Sequence, residues 1–127
     1  MNRNSPIKEK SRAFAIRIIH LYSYMAHSRN EYVLSKQILR SGTGIGANIA
    51  ESACAISKKD FLSKIYIALK ECNETLYWLD LLHETGYITD KAFVSLNNDC
   101  LELKKMLTAT TKTTVKNLNP SDSSNPV

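Results

Sequence analysis

His20 and His27 stand seven residues apart in a stretch of helical period, so both could face one direction two turns apart. A helical metal site calls for ligands at i and i+4 or a carboxylate close by, and neither is present, so the pair reads as surface or core histidines. Glu71 and Glu74 invite comparison with carboxylate-bridged metal bundles. Those need Glu-x-x-His pairs, whereas the residues three after these glutamates are Glu74 and Tyr77. Lys70 and Glu74 at i, i+4 are expected to pair on the surface instead. Cys54, Cys72 and Cys100 are odd in number and widely spaced, without a CxxC or Cys/His pattern, which points to free thiols rather than zinc or a disulfide framework. No Ser, Cys and His combination forms a nucleophile motif. No catalytic residue, metal or cofactor is assigned, and the protein is read as not an enzyme.

Gly42, Gly44 and Gly46 in "SGTGIGANIAES" raise the prospect of a phosphate-cradling loop. Such a loop follows a strand and opens a helix, so that backbone N–H groups point at the anion. Here "YVLSKQILR" is already helical in period, and "GTGIG" lacks both the GxGxxG spacing and a Lys-Ser/Thr pair. Nucleotide binding is excluded on that ground. Inside a helix each glycine costs roughly 1 kcal/mol relative to alanine. Close approach of neighbouring helices is the expected compensation, because a missing Cβ lets more atoms into contact.

The remaining candidates are cations. Seventeen Lys and Arg against twelve Asp and Glu give a net charge of +5 and a pI near 9.2, a balance that favours polyanionic partners. Residues 1–64 carry eleven basic and four acidic groups, residues 65–127 six and eight, so the excess belongs to the first half of the chain. Lys8, Lys10, Arg12, Arg17, Lys36, Arg40, Lys58, Lys59 and Lys64 are the candidate nucleic-acid-binding residues, acting on phosphates without base readout. No aromatic platform for base stacking accompanies them, so sequence specificity is not expected.

Four elements must position these groups. Ser5-Pro6 is a helix opening, followed by Ile7, Phe14, Ile18, Leu21 and Met25 at helical spacing, over about 6–28. Leu34, Ile38, Gly42, Ile45, Ile49, Ala53 and Ile56 trace a second helix over about 33–56. Ser57 with Asp60 resembles a capping box and opens a third over about 58–85, carried by Leu62, Ile65, Leu69, Cys72, Leu76 and Leu79 and ended by Gly86 at C′. Thr89 caps a fourth over about 90–108 with Phe93, Leu96, Cys100, Leu103 and Leu107. Residues 111–127, rich in Thr, Ser, Asn and Pro, read as a flexible polar tail after a 1–110 domain. Short connections make antiparallel neighbours, so the fold class is all-α, an up-down-up-down four-helix bundle. No apolar run reaches the length of a membrane span and the N-terminus lacks a leader pattern, so no membrane is implicated and a cytoplasmic location is expected.

Gly42 and Gly46, with Ala50, lie beside the apolar stripe of the second helix and would admit another helix of the bundle. Gly44 points almost opposite to Gly42, next to Ala47, and predicts a second close neighbour. Tyr66, Tyr77 and Leu81 form a stripe on the third helix apart from its core seam. The two features predict a homo-oligomer meeting through helices two and three.

"LRSGTGIGANIAES" followed by "SKKDFLSKIYIALKECNETLYWLDLLHETGYI" resembles the family of four-helix-bundle proteins encoded in intervening sequences of bacterial 23S ribosomal RNA genes. The resemblance spans roughly residues 10 to 110. Its motif positions here are Leu39, Arg40, Gly46, Ala47, Asn48, Ile49, Ala50 and Glu51, then Ser57, Lys58, Lys59 and Phe61; relatives often carry Ser or Ala in place of Gly44. More distantly, the chain is similar to accessory variability proteins of diversity-generating retroelements. The resemblance implies a barrel-like homopentamer with basic surfaces which, in the retroelement branch, bind nucleic acid and a reverse transcriptase. A structural or protein-interaction scaffold without nucleic-acid binding is the alternative function.

Overall fold

The computed structural model describes residues 5–118, which form four helices: α1 (Pro6–Ser28), α2 (Leu34–Ser52), α3 (Lys58–Glu84) and α4 (Asp90–Lys116). No strand occurs among the described residues. The helices pack in the order α1–α2–α3–α4, and α1 meets α4 along a shorter stretch to close the bundle. Side-chain pairs fix the antiparallel register: Lys10 with Glu102, Glu51 with Lys64, and Lys58 Nζ with the Asn117 carbonyl.

The core is built on the periodic residues, except that on α3 the buried face is Ile65, Ala68, Cys72, Thr75, Leu79 and Leu82, with the expected Leu62, Leu69 and Leu76, like Phe93 of α4, only partly buried. Phe14, Ile18 and Met25 of α1, Ile38, Ile45 and Ile49 of α2, Ile65, Leu79 and Leu82 of α3, and Leu103 and Leu107 of α4 are almost wholly removed from water. Burial of a side chain of this size contributes on the order of 1.5–3 kcal/mol. The α2 rod runs without interruption through Gly42, Gly44 and Gly46.

Caps set the helix limits. Ser57 accepts the Asp60 N–H at 3.0 Å and Thr89 accepts that of Ala92 at 3.1 Å. Gly86, at φ +80°, sits at C′ of α3, where its N–H reaches the His83 carbonyl and the Tyr87 N–H that of Leu82, a Schellman arrangement. The start of α2 has an unforeseen device. Glu31 Oε1 accepts Ser35 N–H at 2.8 Å, and Oε2 accepts Leu34 and Val33 N–H at 3.0 and 3.2 Å. Burial acts to raise the Glu31 pKa, but these donors to the ionised carboxylate together outweigh it and hold the group below its usual value.

Two helix ends differ from the sequence reading. The second helix, expected to reach 56, ends at Ser52, where the N–H groups of Ala53, Cys54 and Ala55 turn to carbonyls three residues back. Ile56, placed in the apolar stripe, is consequently 93% exposed. The fourth helix, expected to end near 108, continues to Lys116. The stretch stays helical because Leu107 and Thr111 are buried, even though Thr108, Thr110, Thr111 and Thr114 each donate a hydroxyl to the carbonyl four residues back, which weakens a helix slightly. The first part of the expected tail is therefore helix; residues 119–127 lie outside the described residues.

Candidate nucleic-acid interface

Six of the nine candidate cations, Lys59 among them, are engaged within the chain. Lys10 pairs with Glu102 at 2.7 Å, and Arg17 with Asp99 at 2.6 Å and the Ser95 hydroxyl at 2.9 Å. Lys64 stands 3.4 Å from Glu51, and Lys58 donates to the Asn117 carbonyl at 3.1 Å. Arg40 bridges two carboxylates of α3, bonding to Glu74 and lying 3.5 Å from Glu71. The expected Lys70–Glu74 pair is thus replaced: Glu74 takes Arg40 and the Trp78 indole N–H. Arg17 and Arg40 stand at mid-bundle and Lys36 near the opposite end, so none of the three belongs with the other candidates.

The rest converge. The antiparallel register brings the start of α1, the end of α2, the start of α3 and the end of α4 to one end of the bundle. That end carries ten basic residues, Lys8, Lys10, Arg12, Lys58, Lys59, Lys64, Lys104, Lys105, Lys112 and Lys116, against four acidic ones, Glu9, Glu51, Asp60 and Glu102. The opposite end carries Arg29, Lys36 and Lys91 against Glu31, Asp80, Glu84 and Asp90. Charge is therefore graded along the bundle axis as well as along the sequence. Four of the ten, Lys104, Lys105, Lys112 and Lys116, escaped the sequence reading because that reading ended the fourth helix early and divided the charge by chain halves. Following the antiparallel register one helix further would have found them. The α3 N-terminus adds the positive end of its dipole here, and Lys58 and Lys116 lie at the negative end of α4.

This end also projects. Fourteen residues of α4 follow Glu102 while four of α1 precede its partner Lys10, so α4 runs on past the start of α1 by about ten residues, or about 15 Å.

The small residues of α2 face two different helices. A Cβ on Gly42 would lie 2.8 Å from Ile18, and one on Gly46 would lie 3.3 Å from the Ser11 carbonyl, both on α1. A Cβ on Gly44 would meet Glu71 Oε2 at 3.2 Å. The close neighbour inferred for Gly44 is thus α3 of the same chain, and Gly44 gives no support to a second subunit. Ala47 and Ala50 are exposed. Tyr66 and Tyr77 are 50% and 57% exposed, with Leu81 half-buried on the same side.

His20 and His27 are exposed, and His27 Nδ1 is bonded within its own helix to Ser23. Among the described residues no three His, Cys, Asp or Glu side chains gather in a way that could hold a metal ion. All three cysteines are free thiols: Cys72 and Cys100 are buried against each other, with Cys100 Sγ 3.6 Å from the Cys72 carbonyl, whereas Cys54 is exposed. Contact with Cys72 and burial both push the Cys100 thiol far upward, so it is not a nucleophile. No helix among the described residues is long and apolar enough to cross a membrane.

A bundle with this order, a glycine-rich second helix and a lysine-flanked entry to the third can be set beside known proteins. A family model for the 23S rRNA-intervening sequence proteins matches residues 3–109. The chain belongs to the 23S rRNA-intervening sequence protein family. Among solved structures it is similar to a protein of unknown function from the S23 ribosomal protein family of Bacteroides thetaiotaomicron VPI-5482. The two are 53% identical, the match covers 84% of this chain and 98% of that one, and the TM-score is 0.83. No curated protein matches the chain. Membership of the 23S rRNA-intervening sequence proteins covers all of α1 to α3 and most of α4, stopping at residue 109 within α4.

Proposed function

We propose that this protein is a non-enzymatic, cytoplasmic homo-oligomer that binds the phosphate backbone of RNA or DNA, without reading sequence, through the basic end of its bundle. The observation that supports this reading is the gathering of ten basic residues against four acidic ones at one end. Cations clustered on one pole release counterions from a polyanion, and this supplies affinity without base contacts. Lys8 and Arg12 lead the cluster on α1, and the Arg12 guanidinium can engage two phosphate oxygens at once.

The oligomer is proposed to form through the outer face of α3, where Tyr66 and Tyr77 stand half or more exposed. A pentamer is the ring size that the family resemblance implies. Five copies would set five basic ends around one rim and multiply their field.

The test is a fluorescence titration of a structured RNA with the wild-type chain and with Lys8→Glu/Arg12→Glu/Lys58→Glu. The proposal expects at least tenfold weaker binding by the variant. Equal affinity would remove the basic end as the contact, and absence of binding by the wild type would leave a scaffold role. Sedimentation of Tyr66→Glu/Tyr77→Glu addresses the assembly: an oligomer of unchanged mass would move the contact off α3.

A further inference from the structure

Residues 103–116, the last turns of α4, contain four lysines and no acidic residue. At 100° per residue Lys105, Lys112 and Lys116 fall within about 40° of one another, on the side of α4 away from its core seam. All three are exposed, and none forms an ion pair among the described residues. They make a row about 16 Å long along the outer face of α4.

The same turns are weakly built. Thr108, Thr110, Thr111, Thr113 and Thr114 are β-branched residues of modest helix propensity, and hydroxyls bonded back along a helix slightly destabilise it. Lys112 and Lys116 at i, i+4 repel each other. Much of this stretch lies in the part of α4 that runs on past the start of α1. A row of phosphates laid along it would remove the repulsion that weakens it.

We infer that this lysine row is the docking surface for the backbone of a base-paired RNA stem, and that docking tightens the end of α4. The inference rests on the nucleic-acid reading above and deepens it. A paired stem is favoured because residues 94–116 offer no aromatic side chain on which an unpaired base could stack. A duplex instead presents closely spaced phosphates, roughly one per 1.7 Å of axis for DNA, to a row of point charges.

Hydrogen exchange on the full chain, with a short blunt RNA duplex and with an unpaired RNA of the same length, tests this. The expected result is slowed exchange of amides 108–116 with the duplex. Lys105→Glu/Lys112→Glu/Lys116→Glu, its circular dichroism unchanged, is expected to bind the duplex at least tenfold more weakly, whereas Lys91→Glu at the other end binds as wild type. A lysine-to-glutamine triple, which removes charge without reversing it, should reduce the salt slope of duplex binding by about 2.7. Duplex binding with unaltered exchange at 108–116 and full affinity of the triple variants would overturn the inference and leave the nucleic-acid reading standing. Equal or tighter binding of the unpaired strand would overturn the base-paired assignment. Failure of both RNAs to bind would overturn both readings.

Discussion

Gly42 of α2 lies against Ile18 of α1 so closely that a Cβ on the glycine would sit 2.8 Å from Ile18 Cγ1 and 2.9 Å from Cγ2. Ile18 is fully buried and stiff at χ1, so it has nowhere to move. The overpacking cost of roughly 1–3 kcal/mol exceeds the gain of roughly 1 kcal/mol from replacing a helical glycine. Gly42→Ala is therefore expected to lower stability by on the order of 1 kcal/mol, read as a lower urea midpoint. An unchanged or raised midpoint would contradict the packing described here.

Gly44→Ala should behave differently. The atoms its Cβ would meet belong to the Glu71 carboxylate and its neighbouring carbons, the far end of a flexible side chain, at 3.2–3.4 Å. Among the described residues Glu71 Oε2 is buried with no hydrogen-bond partner and only the Arg40 guanidinium 3.5 Å away, so a small outward shift brings it toward water. The expected outcome is no loss of stability, and up to about 1 kcal/mol gained from helix propensity. A loss comparable to that of Gly42→Ala would show that α2 and α3 cannot yield.

Glu31→Ala should destabilise the protein by about 1 kcal/mol, as removal of a helix cap does. The Glu31 pKa is lower folded than unfolded, so its contribution is fully present above the unfolded value, near pH 4.3. It is lost as pH falls through the lower folded value. The difference in thermal midpoint between wild type and Glu31→Ala should then be constant at neutral pH and shrink in acid. A difference that persists at pH 2 would refute the carboxylate's role at the start of α2.

Of the three cysteines, Cys54 alone is exposed. An aromatic disulfide reagent should modify one thiol promptly in the native protein and the other two only after denaturant is added. Rapid native modification of Cys72 or Cys100 would mean that the α3–α4 seam opens.

The four helices were legible in the sequence because their core residues recur with helical period, as Ile65, Cys72 and Leu79 do on α3. The Ser57 and Thr89 caps and Gly86 were legible for the same local reason. The end of α4 was not, since what holds it is the burial of Leu107 and Thr111 against the rest of the bundle, a tertiary contact that overrides threonine's modest helix propensity. Glu31 escaped notice because it caps α2 from outside the usual N-cap position. Six of the ten basic residues of the candidate interface were visible as Lys8, Lys10, Arg12, Lys58, Lys59 and Lys64. Its α4 lysines lie close to forty or more residues away in sequence, and only the antiparallel register brings them to the same end. The partners of Arg40 were not legible, because nothing local reveals the two glutamates of another helix that take it up.

The salt dependence of binding to a structured RNA tests the central claim most directly. If about six lysine and arginine side chains at the basic end contact phosphates, the logarithm of the binding constant should fall with the logarithm of salt concentration at a slope of roughly −4 to −5. A slope near zero, or no retention of RNA at low salt, would contradict it.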